Sequence, residues 1–406
     1  MPLQNTQIDA GEAASSDAVR PAKTRTVLFV TWTPSYGGSE KHLLDLISRF
    51  DEGEARLLIL CANGDPYTER LNGCAAKVRV ICEPGLESAR EYFRVFRETK
   101  PDVVVFVYGW LDAFPWYASA VARLAGIRRI YAIQHLIPRP LPPKVEVRSL
   151  RNLVTWFGGE RARYLLGVRV AAYLCGKTIC VSNAVERALV NDYRFPPKRT
   201  RTVHNGVPVA QFVSSRREGV AVRARLGLRA DEFVLVCTAR LSHEKGIDIL
   251  LSAVSLLMQR GLPCKCIIVG EGYLRGELVE QMQRLGLMER VFLVGFQEDV
   301  RPYLSAANAF VLTSHMEGLP FSVLEAMACG LPCVLTNVGG NGEAVAQGVN
   351  GLVVNPGSAE EVAEAIAYLL ANPQECARMS LAARSRAESE FDVATKMAEI
   401  KQVILN

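Results

Sequence analysis

The sequence predicts an α/β fold: two doubly wound parallel-sheet domains facing each other across a cleft. Three observations carry this. The chain has 406 residues, and at about 150 residues per domain that length fits two or three domains. Its short β-rich runs, such as VLFVT at 27–31 and VVVFVY at 103–108, are apolar without alternation, as strands buried on both faces of a parallel sheet are. These runs alternate with helical stretches of amphipathic period.

Taken in order, residues 1–22 lack an apolar core and read as a disordered tail rather than a signal peptide. A first domain is expected over 23–207, with strands at 27–31, 57–62, 78–82, 103–108, 129–135 and 178–182. Helices fall from 41, near 87–99, near 113–125 and at 184–192. Residues 136–163 are rich in proline and arginine and have no clean period, which suits a loop or a mobile helical insertion. The second domain, 208–385, opens with a linker and a short basic helix. Its strands are expected at 233–240, 264–270, 291–296, 309–314, 331–337 and 351–355. The last helix, 386–406, is expected to return to the first domain. Both halves start alike, VLFVTWTPSYGGSEKHLLDLI and VLVCTARLSHEKGIDILLSAV, each a strand, a polar glycine-containing loop and a helix. Ligands of open α/β sheets sit beyond the carboxyl ends of the strands, so two such domains leave a cleft for a substrate.

Composition narrows the function classes. Hydrophobic residues at 49% and charged residues at 22% exclude a coiled coil, a collagen-like chain and a largely disordered protein. The most apolar region, 103–126, is broken by Asp112 and Pro115 and reads as strand, loop and helix rather than a membrane span. The 11 cysteines are odd in number and form no Cys-x-x-Cys pair, so zinc spacing is absent. They read as buried thiols in a reducing, cytoplasmic compartment. The net charge of +5 is uneven: Arg123 to Arg201 holds 16 Lys and Arg against 4 Asp and Glu. Such a stretch suits nucleic acid, an anionic membrane or a phosphorylated ligand. The lack of an aromatic-interleaved recognition motif weighs against nucleic acid.

The strongest block is HMEGLPFSVLEAMACGLPCVLTNVGGNGE, 315–343. Pro320 suits a first helical turn, and Gly330 with Pro332 ends the helix. Glu317 then precedes the helix and Glu325 lies inside it. The backbone of Gly318, Leu319, Phe321 and Ser322 surrounds its N-terminus, an anion site through its free donors and dipole. A carboxylate accepts bonds from two vicinal hydroxyls, so two of them flanking an anion site suit a sugar and a ribose joined by phosphates. Solvated glutamates on an ordinary strand, loop and helix are the other reading of the same spacing. Arg240, ending a strand, and Lys245, in the next loop, together suit a diphosphate. Gly37 and Gly38 allow close backbone approach before a helix, in a loop that is neither Walker A nor GxGxxG. His135 follows a strand at its carboxyl edge.

Together, Glu317-x7-Glu325, EAMACGLPCV, GGNGE, Arg240 with Lys245, VGEG at 269–272, VGF at 294–296, HNGV at 204–207 and the N-terminal GGSE resemble the retaining GT-B glycosyltransferases often called family 4. The resemblance spans roughly residues 25–400. It implies a GT-B fold of two Rossmann-like domains and a nucleotide-diphospho-sugar donor held mainly by the second. By similarity, Arg240 and Lys245 hold the diphosphate, Glu325 the ribose, and Glu317 and His135 the donor sugar. The backbone of Gly318 to Ser322 supports sugar and phosphate, that of Gly295, Phe296 and Gln297 faces the base, and Gly37 and Gly38 approach from the other domain. No DxD-like motif is present, so no metal cofactor is expected. The implied acceptor is a glycan or lipid-linked saccharide, and the basic stretch suggests an enzyme peripheral on the inner face of the membrane. A nucleotide-sugar epimerase and an inactive binding protein of the same fold are the alternatives. The first needs further acid and base groups, and the second conflicts with the intact Arg240, Lys245, Glu317 and Glu325.

Overall fold

The computed structural model describes residues 24–31, 38–51, 53–62, 78–83, 88–108, 116–137 and 160–406. The tail at 1–22, Gly37 and most of the 136–163 stretch lie outside them. The strands are β1 Arg25–Thr31, β2 Ala55–Ala62, β3 Val78–Glu83, β4 Val103–Tyr108, β5 Arg129–Gln134, β6 Lys177–Cys180 and β7 Thr200–Thr202, then β8 Val234–Thr238, β9 Lys265–Val269, β10 Val291–Leu293, β11 Ala309–Leu312, β12 Cys333–Thr336 and β13 Gly351–Val354. The helices of the first half are α1 Gly38–Ile47, α2 Ala89–Thr99, α3 Trp116–Leu124, α4 Glu160–Leu174 and α5 Asn183–Asn191. Those of the second are α6 Arg216–Arg225, α7 Ile247–Gln259, α8 Arg275–Arg284, α9 Arg301–Ala306, α10 Phe321–Ala328, α11 Asn341–Ala344, α12 Ala359–Ala371, α13 Pro373–Glu390 and α14 Val393–Leu405.

Two parallel sheets result. The first runs β3-β2-β1-β4-β5-β6-β7 and the second β10-β9-β8-β11-β12-β13. The unalternating apolar runs are buried as their pattern requires: all six residues of β4 and all five of β8 are buried. Right-handed crossovers fix the layers. The step β1–α1–β2 runs one way along the sheet and β4–α3–β5 the other, so α1 and α3 cover opposite faces. Neighbours α2, α3 and α4 pack side by side in one layer, and α1 packs against α14.

The last helix ties the halves together. Val393, Met397, Ile400, Val403 and Ile404 form its buried stripe, at the spacing of one helical face. Lys401 bonds Glu54 at 2.6 Å and the Arg49 carbonyl at 2.7 Å, both in the first domain. Where the chain crosses, Val207 and Val393 exchange backbone bonds with Phe391 and Val207 at 2.9 and 3.0 Å. On α13, Arg384 donates to the Phe212 carbonyl at 2.7 Å and to the Ala328 carbonyl, fastening the interdomain linker to the end of α10.

Three local features differ from the sequence expectation. Pro320 is the extended residue before α10 rather than part of its first turn. The strand expected to 296 stops at Leu293, and Gly295 turns the chain out at φ 77°. Helix α4 has no clear sequence signal because its outer face mixes exposed Leu166 and Tyr173 with Arg169. The basic stretch is partly structural. Arg123 donates to the Leu174 carbonyl at 2.6 and 3.0 Å, and Arg199 to those of Ala172, Tyr173 and Cys175. Both cations cap the C-terminal end of α4, where the helix dipole favours them.

Nine described cysteines are free thiols, eight of them buried. Burial pushes Cys175 and Cys237 up to about 12, which keeps them protonated and inert. Among the described residues no helix is long and apolar enough to cross a membrane.

Candidate active site

Each sheet has a topological switch point at its first strand: β1 lies between β2 and β4, and β8 between β9 and β11. Chains diverge there at the carboxyl edge and open a crevice. In the second domain the loops leaving β8, β9, β10 and β11 form one stitched rim. Leu241 bonds the Glu271 carbonyl at 3.0 Å, Gly270 the Gly295 carbonyl at 2.9 Å, and His315 the Glu244 carbonyl at 2.8 Å. The Thr313 hydroxyl adds a bond to the Gly246 carbonyl at 2.7 Å. Sequence positions 240–246, 270–272, 294–297 and 313–320 are thereby held in one place. A hollow of about 300 Å³ at Arg25, Asp102, Arg128 and Arg129 lies at the other, amino end of the first sheet.

Glu317 sits at the centre of this rim with its side chain 3% exposed. Its Oε1 accepts from Lys245 Nζ at 2.6 Å and from Ser314 Oγ at 2.7 Å. Removing one partner of such a buried pair costs about 3–5 kcal/mol, because the other charge is stranded. Arg240 follows β8 on the same rim and is exposed, and its side chain makes no hydrogen bond or ion pair among the described residues. Burial pushes the nearby Glu244 carboxyl up, but its hydrogen bonds and the charges of Lys245 and Arg240 hold it below the usual range. Glu325, one turn into α10, is also nearly buried and bonds Lys41 of α1, on the opposite domain.

The two domains meet at this point. The His135 carbonyl lies against Gly318 so closely that a β-carbon there would stand 1.8 Å from the oxygen. Only glycine fits. Gly38, at the start of α1, packs on the Phe321 ring in the same way, with a notional β-carbon at 2.7 Å. Behind them the rings of His42 and His135 stand edge to face, centroids 4.8 Å apart, and Phe321 lies 6.0 Å from His42. Among the described residues neither nitrogen of His42 nor Nε2 of His135 has a hydrogen-bond partner, although both side chains are buried. Burial lowers His42 from 6.5 to about 4. Burial, and then the neighbouring His42, lowers His135 in the same direction.

The model of the group 1 glycosyl transferases matches residues 221–386, and that of glycosyltransferase family 4 matches 36–211. The chain belongs to the family 4 glycosyltransferases of the GT-B type. This glycosyltransferase is 26% identical over 391 residues to the Escherichia coli UDP-Gal:alpha-D-GlcNAc-diphosphoundecaprenol alpha-1,3-galactosyltransferase, covering 94% of this chain and 96% of that one. It superposes on Anabaena Alr3699/HepE, solved in complex with UDP-glucose, with a TM-score of 0.75 at 25% identity, covering 93% and 98%. It shares its fold with WaaG, a glycosyltransferase involved in lipopolysaccharide biosynthesis, at a TM-score of 0.68 and 17% identity, covering 93% and 99%.

The glycosyltransferase thus brings Arg240, Lys245, Glu317, Gly318, Leu319, Phe321, Ser322 and Glu325 to one rim, and sets Gly38 and His135 against it from the other domain. Gly295 and Gln297 belong to the same rim, and Phe296 beside them is 59% exposed. Gly37 is outside the described residues. Reading the sequence left three groups without a role: Lys41, His42 and Glu343. The first two stand three and four residues after Gly38, and the third ends GGNGE. Glu343 accepts from the amides of Asn183 and Ala184 at 2.8 and 2.7 Å and bonds His204 Nε2 at 2.9 Å, so a carboxylate of the second domain caps α5 of the first. Burial pushes it up, but the bonds from His204, Asn183 and Ala184 outweigh that and hold it below the usual range.

The buried imidazoles make a pH prediction. With His42 near 6.5 unfolded and about 4 folded, its contribution to stability is full above pH 6.5 and lost as the pH falls toward 4. The loss is at most about 3 kcal/mol. Melting temperatures should drop through this window, and less steeply in His42→Phe. Parallel curves for the two proteins would show that His42 titrates normally.

Proposed function

We propose that this glycosyltransferase moves a hexose from a uridine diphosphate sugar to a lipid-linked or growing glycan, with retention at the anomeric carbon, in polysaccharide assembly. The observation that carries this is the buried Lys245–Glu317–Ser314 cluster on the rim that also bears exposed Arg240. With Glu325 of α10 it supplies two cations and two carboxylates at a switch-point crevice, the complement of a diphosphate flanked by hydroxyls. The uridine base and lipid-linked acceptor are taken from the E. coli relative and HepE, which the chain covers almost end to end.

In this reading Glu325 takes the ribose hydroxyls and Glu317 the sugar hydroxyls. Arg240 and Lys245 hold the diphosphate, and the first-turn amides of α10 add dipole. The Gly295–Gln297 turn faces the base, and His135 closes over the sugar. The acceptor hydroxyl oxygen bonds to the anomeric carbon on the face the leaving group departs from. The bond from that carbon to the β-phosphate oxygen breaks with its electron pair. The acceptor proton passes to that phosphate oxygen, and uridine diphosphate leaves. The barrier is mostly charge developing on phosphate, which preorganised cations stabilise without a divalent ion.

The acceptor side has a matching surface. Arg90, Phe93, Arg94 and Arg97 share the exposed face of α2, beside Leu124 of α3 and Leu166, Arg169 and Tyr173 of α4. Basic and apolar side chains mixed on one helical layer suit docking on an anionic lipid surface.

Arg240→Ala is the cleanest test, because this exposed side chain leaves no buried charge behind. It should cut nucleotide release from UDP-glucose or UDP-galactose with a lipid acceptor at least ~100-fold, at unchanged melting temperature. UDP should raise that temperature more than GDP or ADP. Full activity in Arg240→Ala contradicts the assignment. Separately, phosphatidylserine vesicles should bind the protein, with binding lost in high salt and in the Arg94→Glu/Arg97→Glu variant. Equal binding to neutral vesicles contradicts lipid docking.

A further inference from the structure

Both carboxylates of the Glu317-x7-Glu325 spacing hold a lysine ammonium. Lys245, from the same domain, is on Glu317 at 2.6 Å, and Lys41, from the facing domain, is on Glu325. In the proposed function Lys245 is a diphosphate ligand, so its place on Glu317 is a resting one. When donor hydroxyls occupy that carboxylate, the ammonium is freed toward the phosphates. The same exchange applies at Glu325, whose carboxylate is to take the ribose.

Lys41 cannot simply be left without an anion. It stands in the first turn of α1, whose start abuts the first turn of α10 through Gly38 and Phe321. Two positive dipole ends meet there. An ammonium beside them is favourable on a carboxylate or on an incoming anion, and unfavourable alone. The side chain is 32% exposed and packs over the Phe212 ring, 5.2 Å to the centroid. It therefore sits at the open edge of the seam, on a stem of four rotatable carbons.

We propose that Lys41 is a further donor-binding residue, supplied by the N-terminal domain, which rests on Glu325 and transfers to the donor diphosphate when the ribose takes that carboxylate. This rests on the donor-site reading above and adds to it that both domains contribute a cation to the diphosphate. The ligand's own charge then helps to hold the two halves together.

The test compares affinities for whichever of UDP, GDP and ADP binds, and for its parent nucleoside, by calorimetry. Lys41→Met should weaken nucleoside diphosphate binding about tenfold while nucleoside binding stays equal or tightens, since its competitor for Glu325 is gone. Lys41→Arg should restore most of the diphosphate affinity. Lys41→Met/Glu325→Gln, which strands no charge, should bind nucleoside more weakly, having lost the ribose carboxylate, and beyond that should lose the same diphosphate contribution, at wild-type melting temperature. Unchanged or tighter diphosphate binding in Lys41→Met overturns the proposal, as does equal loss for nucleoside and diphosphate, which marks a merely structural pair. Arg240→Ala separates the layers. If it weakens diphosphate binding and Lys41→Met does not, only the role of Lys41 fails. If neither does, the donor-site reading fails with it.

Discussion

The buried ion pair between Lys245 and Glu317 sets the terms for everything around it. A carboxylate only 3% exposed is tolerable because an ammonium at 2.6 Å and the Ser314 hydroxyl at 2.7 Å satisfy it. That pair in turn requires two loops, one after β8 and one after β11, to meet at one depth. The bonds from Thr313 to Gly246 and from His315 to Glu244 hold them there. The result is a crevice built from charges that satisfy one another; in the proposed function they trade these internal partners for the hydroxyls and phosphates of a ligand.

The second domain provides this rim and the first closes it. Contact is close enough that backbone meets backbone at Gly318 and His135. Among the described residues, links across the seam include Lys41 to Glu325, Asn205 to the Leu319 carbonyl at 2.7 Å, Glu343 to the start of α5, and the exchange at Val207 and Val393. Most lie within a few residues of Glu317 and Glu325 or of GGNGE, so in the proposed function the ligand rim and the domain interface share residues.

The sequence made the fold legible because parallel strands buried on both faces leave no alternation, and β4 shows this at all six positions. It also made the rim legible, since Arg240, Lys245, Glu317 and Glu325 each follow a recognisable strand or enter a helix at fixed spacing. What it hid is long-range. Lys41 and Glu325 are 284 residues apart, and no local pattern pairs them. His42 has the helical spacing of an ordinary core residue, and only its unbonded nitrogens beside His135 set it apart. The charge count misled in one respect: Arg123 and Arg199 belong to the cap of α4 rather than to a free surface. Conversely, the basic face of α2 lies outside the 123–201 stretch and escaped that count.

A structure of the protein with a bound nucleotide sugar tests the exchange of partners most directly. Glu325 should then bond the ribose hydroxyls and Glu317 the sugar hydroxyls, with Lys245, Arg240 and Lys41 on the diphosphate oxygens. A bound donor beside intact Lys245–Glu317 and Lys41–Glu325 pairs would contradict it.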